Sequence, residues 1–370
     1  MTIAIDARLN AYRNGGIPQY TQQLITAWCA DPSFPPLTVL QSRRQKGRLT
    51  DSPQATHVTL YTPPHHRAEA YTLPFEIGVH RPAAVLFPDF IAPTLRTFPA
   101  VVTIHDLAFL YYDDLLDAAA RGFYGRIRES SARADAIIAV SQSTKRDIVH
   151  LLDIDPARIH VISEAAAAYA QPTTQHEPQR TVNGTQLSAG TFLLFVSTIE
   201  PRKNLPMLLE ALRICRDRHP ERHYQLVAAG ARGWREAPII AAIAEFGLSD
   251  AVTLTGAVNE SDLHWLYTHC RIYANPSRYE GFGLPLLEAL ACGAPALASD
   301  TSSLPEVGGA AARYLPVDDA GAWADAIERL WVDDDARAAM AAAGPTHAKQ
   351  FSWHDTAVQT RALLESVIRQ

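Results

Sequence analysis

Long apolar runs are missing from this 370-residue sequence. No stretch approaches the roughly 18 apolar residues that a transmembrane helix needs, so the chain reads as soluble, at most attached to a membrane surface. Cysteine is scarce. Cys29, Cys215, Cys270 and Cys292 are scattered, with no CxxC pair, which argues against a structural zinc site and reads as reduced thiols of a cytoplasmic protein. A basic excess is missing too: 33 Lys and Arg stand against 39 Asp and Glu, a net charge of −6, and no nucleic-acid partner is expected. The opening MTIAIDARLN lacks a charged leader followed by an apolar run, so no signal peptide is expected. There is no internal repeat and no low-complexity tract.

What is present is a normal globular balance, 47% apolar and 19% charged, in a chain long enough for two domains. Short Val- and Ile-rich runs alternate with longer helical patterns. Strand candidates are TIAID, LTVLQ, HVTLY, AVLFP, AVVTIHD, AIIAVS and IHVIS, then FLLFVS, YQLVAAG, VTLTG, RIYANPS and PALAS. Continuous apolar strands alternating with helices predict parallel sheets covered on both faces. The fold class is therefore α/β, with two doubly wound, Rossmann-like domains. The first spans 1–168, a Pro-, Gln- and Thr-rich linker 169–190, the second domain 191–350, and a C-terminal amphipathic helix 351–370 that could strap across the domains. Through residue 168 there are 16 basic and 16 acidic residues, so the acid excess lies in the second half. In such folds ligands bind beyond the carboxyl ends of the strands, and the cleft between two facing domains is the expected site.

Four stretches could carry chemistry. In RYEGFGLPLLEALACG, after the strand candidate RIYANPS, Glu280 precedes a turn and Glu288 lies one turn into the next helix. Pro285 suits a first helical turn, while Gly281 and Gly283, flanking Phe282 and followed by Leu284, let a backbone approach a phosphate at a helix N-terminus. Glu288 could then accept hydrogen bonds from a ribose diol, and Glu280 from sugar hydroxyls. In FVSTIEPRKN, Lys203 offers a compact charge and Arg202 a bidentate fork for phosphate oxygens; a solvated basic pair capping a turn is the plain alternative. In DARLNAYRNGGIPQY, Gly15 and Gly16 can present N–H groups to a phosphate, although a paired glycine is more often just a turn. The GxGxxG pattern and the acid ~20 residues on that a dinucleotide oxidoreductase needs are both missing. In VVTIHDLAFL, His105 ends a strand, where it could bond a sugar hydroxyl or be satisfied by its neighbours.

Taken together, these stretches resemble the retaining glycosyltransferases of family 4, two-domain enzymes of the GT-B architecture. Their E-x7-E signature matches Glu280-GFGLPLL-Glu288, and GAVNESDLHWLYTHCRIYANPS and ACGAPALASDTSSLPEVGGAA look like the family's C-terminal half. The form TIEPRKN is similar to a mannosyltransferase-like branch. The likeness implies transfer of a sugar, with retention and without a metal or other cofactor, from a nucleotide sugar to an acceptor held by the first domain. GDP-mannose is the favoured donor and a UDP-sugar the next, and the acceptor is a glycan or a lipid-linked hydroxyl. Lys203 matches the family's diphosphate-binding Lys, and Thr198 occupies the family's Arg position. Gly16 matches a phosphate-approaching loop, and Val258 a backbone contact to the base. His105 matches an active-site His, so that His105, Glu280 and Lys203 form the expected catalytic set. Ser141 reads as a helix N-cap, Asp106 as a loop former, and Glu306 as either an acidic site residue or a helix cap. Asp113–Asp114 reads as a solvated face rather than a metal site. The basic, aromatic stretch 118–134 could meet an anionic membrane at its inner face, or be an ordinary helix with a solvated basic side. The main alternatives are another GT-B enzyme, such as a nucleotide-sugar epimerase, and a binding protein that turns nothing over.

Overall fold

The computed structural model describes residues 2–13, 15–66, 68–112, 122, 124–175, 177–233 and 235–369. The Asp113–Asp114 pair, Arg121 and Phe123 lie outside the described residues. The chain forms two compact units, one of Met1–Glu164 with Ser352–Gln370 and one of Ala165–Phe351.

The first unit holds seven strands: β1 (Ile3–Asp6), β2 (Leu37–Ser42), β3 (Ala55–Leu60), β4 (Ala84–Phe87), β5 (Ala100–Ile104), β6 (Ala136–Ala139) and β7 (Ile159–Val161). All are parallel, in the order β3-β2-β1-β4-β5-β6-β7. Side chains alternate across the sheet. Ile3, Ile5 and Val39 meet Tyr20, Leu24 and Trp28 of the Gly16–Ala30 helix and Leu363, Leu364 and Val367 of the Trp353–Ile368 helix. Ala4, Leu40, Val85 and Val102 meet Leu73, Ile77, Ile127 and Ile148 on the other face. The last helix therefore completes the core of the first unit, tied down by Thr356 Oγ1, which donates to Ser163 O at 2.7 Å. The boundaries fall at 164/165 and 351/352 rather than at the 168 and 350 read from composition.

The second unit opens with β8 (Gln179–Val182) and β9 (Thr185–Ser188), an antiparallel hairpin. The sequence reading placed a linker here. The strands are mostly polar, but Val182 and Leu187 are buried, and the turn Asn183–Gly184 has φ of 45° and 86°, the positive pair that an Asn-Gly hairpin turn requires. Six parallel strands follow: β10 (Phe192–Val196), β11 (Gln225–Ala229), β12 (Val252–Gly256), β13 (Ile272–Asn275), β14 (Ala296–Ser299) and β15 (Ala312–Leu315). Their order is β12-β11-β10-β13-β14-β15. The strand order reverses between β10 and β13, the place beyond the strand ends where ligands bind in sheets of this kind. In the first unit the reversal falls between β1 and β4.

Candidate functional site

The loops after β10 and β13 carry FVSTIEPRKN and RYEGFG, so the sheet's reversal point itself brings two of the predicted stretches together. Residues 201–203 form one 3-10 turn, and Asn204 turns left-handed at φ 58° to start the Leu205–Arg218 helix. This aims Lys203 across at Glu280. The Lys203 ammonium donates to both carboxylate oxygens at 2.7 Å, and both side chains are buried. Burial alone would lift the Glu280 carboxyl; Lys203 and then Arg202 outweigh it and hold its pKa below the ordinary value. Arg202 is ion-paired through Nε with Glu200 at 2.6 Å, donates from Nη1 to Tyr279 O at 3.1 Å, and lies 3.6 Å from Glu280. Its fork is thus engaged in fastening the two loops, which Arg278 N to Arg202 O at 2.8 Å reinforces.

A group of hydroxyls that the sequence reading passed over holds Glu280 in place. Ser277 donates to its Oε1 at 2.8 Å, and its own N–H is accepted by Ser302 Oγ at 2.9 Å. Ser303 donates to the carbonyls of Glu280 and Phe282 at 3.0 and 2.7 Å. Thr301 and Ser299 bond Ser277 O. The run SDTSS after β14 was the available signal: five small polar residues at a strand end are well suited to bracing a neighbouring turn.

Gly281 and Phe282 are buried in that turn, and Gly283 has φ 103° with Leu304 Cδ2 only 2.9 Å from where a Cβ would stand. Only glycine fits, and it opens the Leu284–Ala291 helix with Pro285 in its first turn. Glu288, one turn in, is buried, and its Oε2 accepts from Tyr169 at 2.9 Å and Tyr267 at 3.4 Å. Burial dominates and raises its pKa to about 7, the two phenols pulling the other way. Thr198 is exposed in the loop after β10. Beside it Gly230, with φ 152°, would set a Cβ 1.9 Å from Ser197 O, so the loops after β10 and β11 close together only around a glycine. Val258 follows the turn after β12, and the hairpin holds that turn: Asn183 Nδ2 donates to Thr255 O and Ala257 O, each at 2.8 Å.

In the first unit Gly15, at φ 97°, caps the Gly16–Ala30 helix, and a Cβ on either glycine would meet nothing within 4 Å. The backbone at this helix start is therefore open to an anion. The preceding loop is fixed by Arg8, which sequence reading missed. It is buried and donates to Asp6 and Glu69 at 2.7 Å and to Thr62 O at 3.0 Å. His105 differs from its expected role before a sugar hydroxyl. Its Nδ1 lies 2.8 Å from Glu164 and its Nε2 2.9 Å from Pro88 O. Two acceptors are satisfied together only by the imidazolium. Burial opposes that charge, Glu164 outweighs it, and the pKa is raised. Asp106 accepts from Ala108 N at 3.1 Å and shapes its loop, and Ser141 caps the Gln142–Leu152 helix through Thr144 N at 3.0 Å. Glu306 is exposed in the first turn of the Leu304–Gly308 helix, which Ser303 precedes. Among the described residues, no cluster of three His, Cys, Asp or Glu is arranged to hold a metal ion, and no helix is long and apolar enough to cross a membrane.

Comparison with known proteins agrees with this construction. Residues 184–347 match the family model for glycosyl transferases group 1, and residues 15–165 that for glycosyltransferase family 4. The O-antigen chain mannosyltransferase B of Escherichia coli is 33% identical over 275 residues, covering 74% of this chain and 71% of the relative. The E. coli serotype-specific mannosyltransferase WbdA is 31% identical over 261 residues, 70% of this chain but only 32% of that longer protein. Anabaena Alr3699/HepE, solved in complex with UDP and glucose, superposes with a TM-score of 0.74 at 16% identity, over 99% of this chain and 100% of that one. With two Rossmann-like sheets and both family models matched, the chain belongs to the family 4, group 1 glycosyltransferases of GT-B fold.

Proposed function

We propose that this glycosyltransferase moves a hexose, mannose from GDP-mannose, onto a hydroxyl of a glycan or lipid-linked acceptor, with retention of anomeric configuration and without a metal or other cofactor. The observation that carries the donor site is the meeting of Lys203, Glu280 and the Gly283–Leu284 helix start at the point where the second unit's sheet reverses. The mannosyl assignment rests on the mannosyltransferase relatives.

In this reading the diphosphate lies against the helix start and Lys203, the third N–H of the ammonium being left after two go to Glu280. The ribose diol takes Glu288, the base lies on the backbone near Val258, and Thr198 and the Gly281–Phe282–Gly283–Leu284 turn line the phosphates. Gly15 and Gly16, in the first unit, offer backbone N–H groups of the kind that a donor phosphate takes. Reaction breaks the bond from the anomeric carbon to phosphate oxygen. It forms the bond to the acceptor oxygen on the same face, and the acceptor proton passes to the departing phosphate oxygen. Glu280 orients the sugar and Lys203 stabilises the charge that develops on the leaving diphosphate; deleting such a donor costs roughly 3–4 kcal/mol in the barrier. The imidazolium of His105 acts through position, holding Glu164 and the carbonyl after β4. The chain works in the cytoplasm, in peripheral contact with the inner face of a membrane.

A UDP-sugar donor is the second reading, favoured by the UDP and glucose bound to HepE. The test is acceptor-dependent release of nucleotide from GDP-mannose and from UDP-glucose, with the product's anomeric configuration read by NMR. Release from GDP-mannose with an α-linked product supports the proposal. An inverted product, or epimerisation without an acceptor, overturns it.

A further inference from the structure

The Glu69–Gly78 helix carries two apolar faces where a surface helix needs one. Leu73 and Ile77 are buried in the first unit's core. On the opposite side Tyr71, Phe75 and Val79, spaced four apart, are 67%, 76% and 75% exposed, and Leu95 in the adjoining loop is 60% exposed. That loop lies against the helix at Gly78, where a Cβ would meet Thr97 Oγ1 at 3.9 Å. These four are the majority of the seven large apolar side chains exposed among the described residues, and they share one patch. Large contiguous apolar patches mark a surface that meets something.

The charges around the patch say what. Arg81 follows the helix and is exposed. Arg96, next to Leu95, bonds Arg133 O and Asp135, which joins the patch to the Arg126–Arg133 helix and its exposed Arg128. On the other flank Tyr61, whose N–H is accepted by Glu76 at 2.7 Å, lies under Arg43 at 6.0 Å. Among the described residues, Arg43, Arg81 and Arg128 enter no ion pair, whereas the nearby carboxylates are committed: Glu76 to Tyr61 and Thr62, Asp135 to Arg96, and Glu129 to Arg133. An apolar ridge rimmed by cations matches the interface of an anionic bilayer, where side chains such as Phe and Tyr enter the headgroup boundary and arginines meet the phosphates.

We infer that the outer face of the Glu69–Gly78 helix, with the loop at Leu95 and the arginines around it, is a docking surface for an anionic lipid bilayer. This deepens the membrane part of the proposed function and does not depend on which nucleotide is the donor. The full chain is sedimented with phosphatidylcholine vesicles and with vesicles containing phosphatidylglycerol, at about 0.1 M salt so that surface charge is not screened away. The wild type should pellet with the anionic vesicles alone. Phe75→Ser/Val79→Ser should lose about tenfold in partitioning, and Arg81→Gln/Arg128→Gln should lose the preference for anionic lipid. Circular dichroism and nucleotide titration check that each variant is folded, with Leu95→Ser as a second, single-site variant. Equal pelleting of the wild type and all variants overturns the inference, as does a wild type that ignores vesicles. A wild type that dimerises in the ultracentrifuge while Phe75→Ser/Val79→Ser stays monomeric assigns the patch to a second copy instead. Vesicle binding with no nucleotide binding leaves the surface standing and removes the donor reading.

Discussion

Replacing Tyr169 by Phe should move the pH at which this protein grips its nucleotide. Glu288 is buried with a pKa near 7, so at neutral pH about half of it is the carboxyl, and only the carboxylate accepts from both hydroxyls of a ribose. Nucleotide affinity should therefore climb as pH rises toward 7 and level off above it. Tyr169 donates to Glu288 Oε2 at 2.9 Å. A hydrogen bond to a charged acceptor contributes about 1.5–3 kcal/mol, which converts to a further rise of roughly 1–2 pH units when it is removed. With the midpoint near pH 8 instead of 7, the ionised fraction at pH 7 falls from about a half to about a tenth, and affinity by about fivefold. The assay is calorimetric titration of GDP from pH 5.5 to 8.5 on wild type and Tyr169→Phe. The nucleotide's own phosphate titrates identically in both, so the difference belongs to the protein. Superimposable profiles would refute the reasoning, because Glu288 would then not be the group that holds the ribose. The same shift acts on stability. A folded pKa raised from 4.5 to about 7 means that the folded state holds the proton more tightly. Stability from this group is then fully present below pH 4.5, falls by about 3 kcal/mol as pH rises to 7, and is flat above.

Three further outcomes are expected. Lys203→Ala and Glu280→Ala each strand a buried charge, and each should cost about 3–5 kcal/mol in urea unfolding; the double variant should cost clearly less than their sum, and strict additivity would show the pair uncoupled. Glu288→Ala should weaken nucleotide binding while Glu280→Ala mainly lowers turnover, and equal losses of affinity would contradict that division of labour. Glu164→Gln should lower the His105 pKa followed by NMR. The stabilisation from His105 is full below pH 6.5 and fades as pH rises through the folded value, so the stability gap between wild type and variant should narrow as pH climbs, and a gap constant with pH would refute the ion pair.

The strands were legible because a parallel strand covered on both faces must be apolar along its whole length; AVVTI and FLLFV could hardly be anything else. Those that escaped are β15, where Arg313 breaks a four-residue run, and the hairpin, whose polar strands resemble a linker although Asn183–Gly184 announces a turn; β3, with Thr56 and Thr59 exposed, was legible through its β-branched residues. The grouping of the last helix with the first unit was not legible, since an amphipathic pattern says that a face is buried and not against what. At the candidate site, residue types at strand-to-helix turns pointed to Lys203, Glu280 and Glu288, because phosphate and sugar chemistry narrows the choice of side chain, and the structure buries all three. Partners were harder. That Lys203 would grip Glu280, that two tyrosines far apart in the sequence would enclose Glu288, and that both nitrogens of His105 would be engaged all depend on which loops the sheet order sets side by side.

The central claim is that the loops after β10 and β13 form a nucleotide-sugar donor site. Titrating GDP, UDP and ADP into the wild type and Glu288→Ala by calorimetry tests it most directly. The account predicts that GDP binds the wild type most tightly and that Glu288→Ala, still folded, loses most of that affinity. No binding by any of the three nucleotides, or binding that Glu288→Ala leaves unchanged, would contradict it.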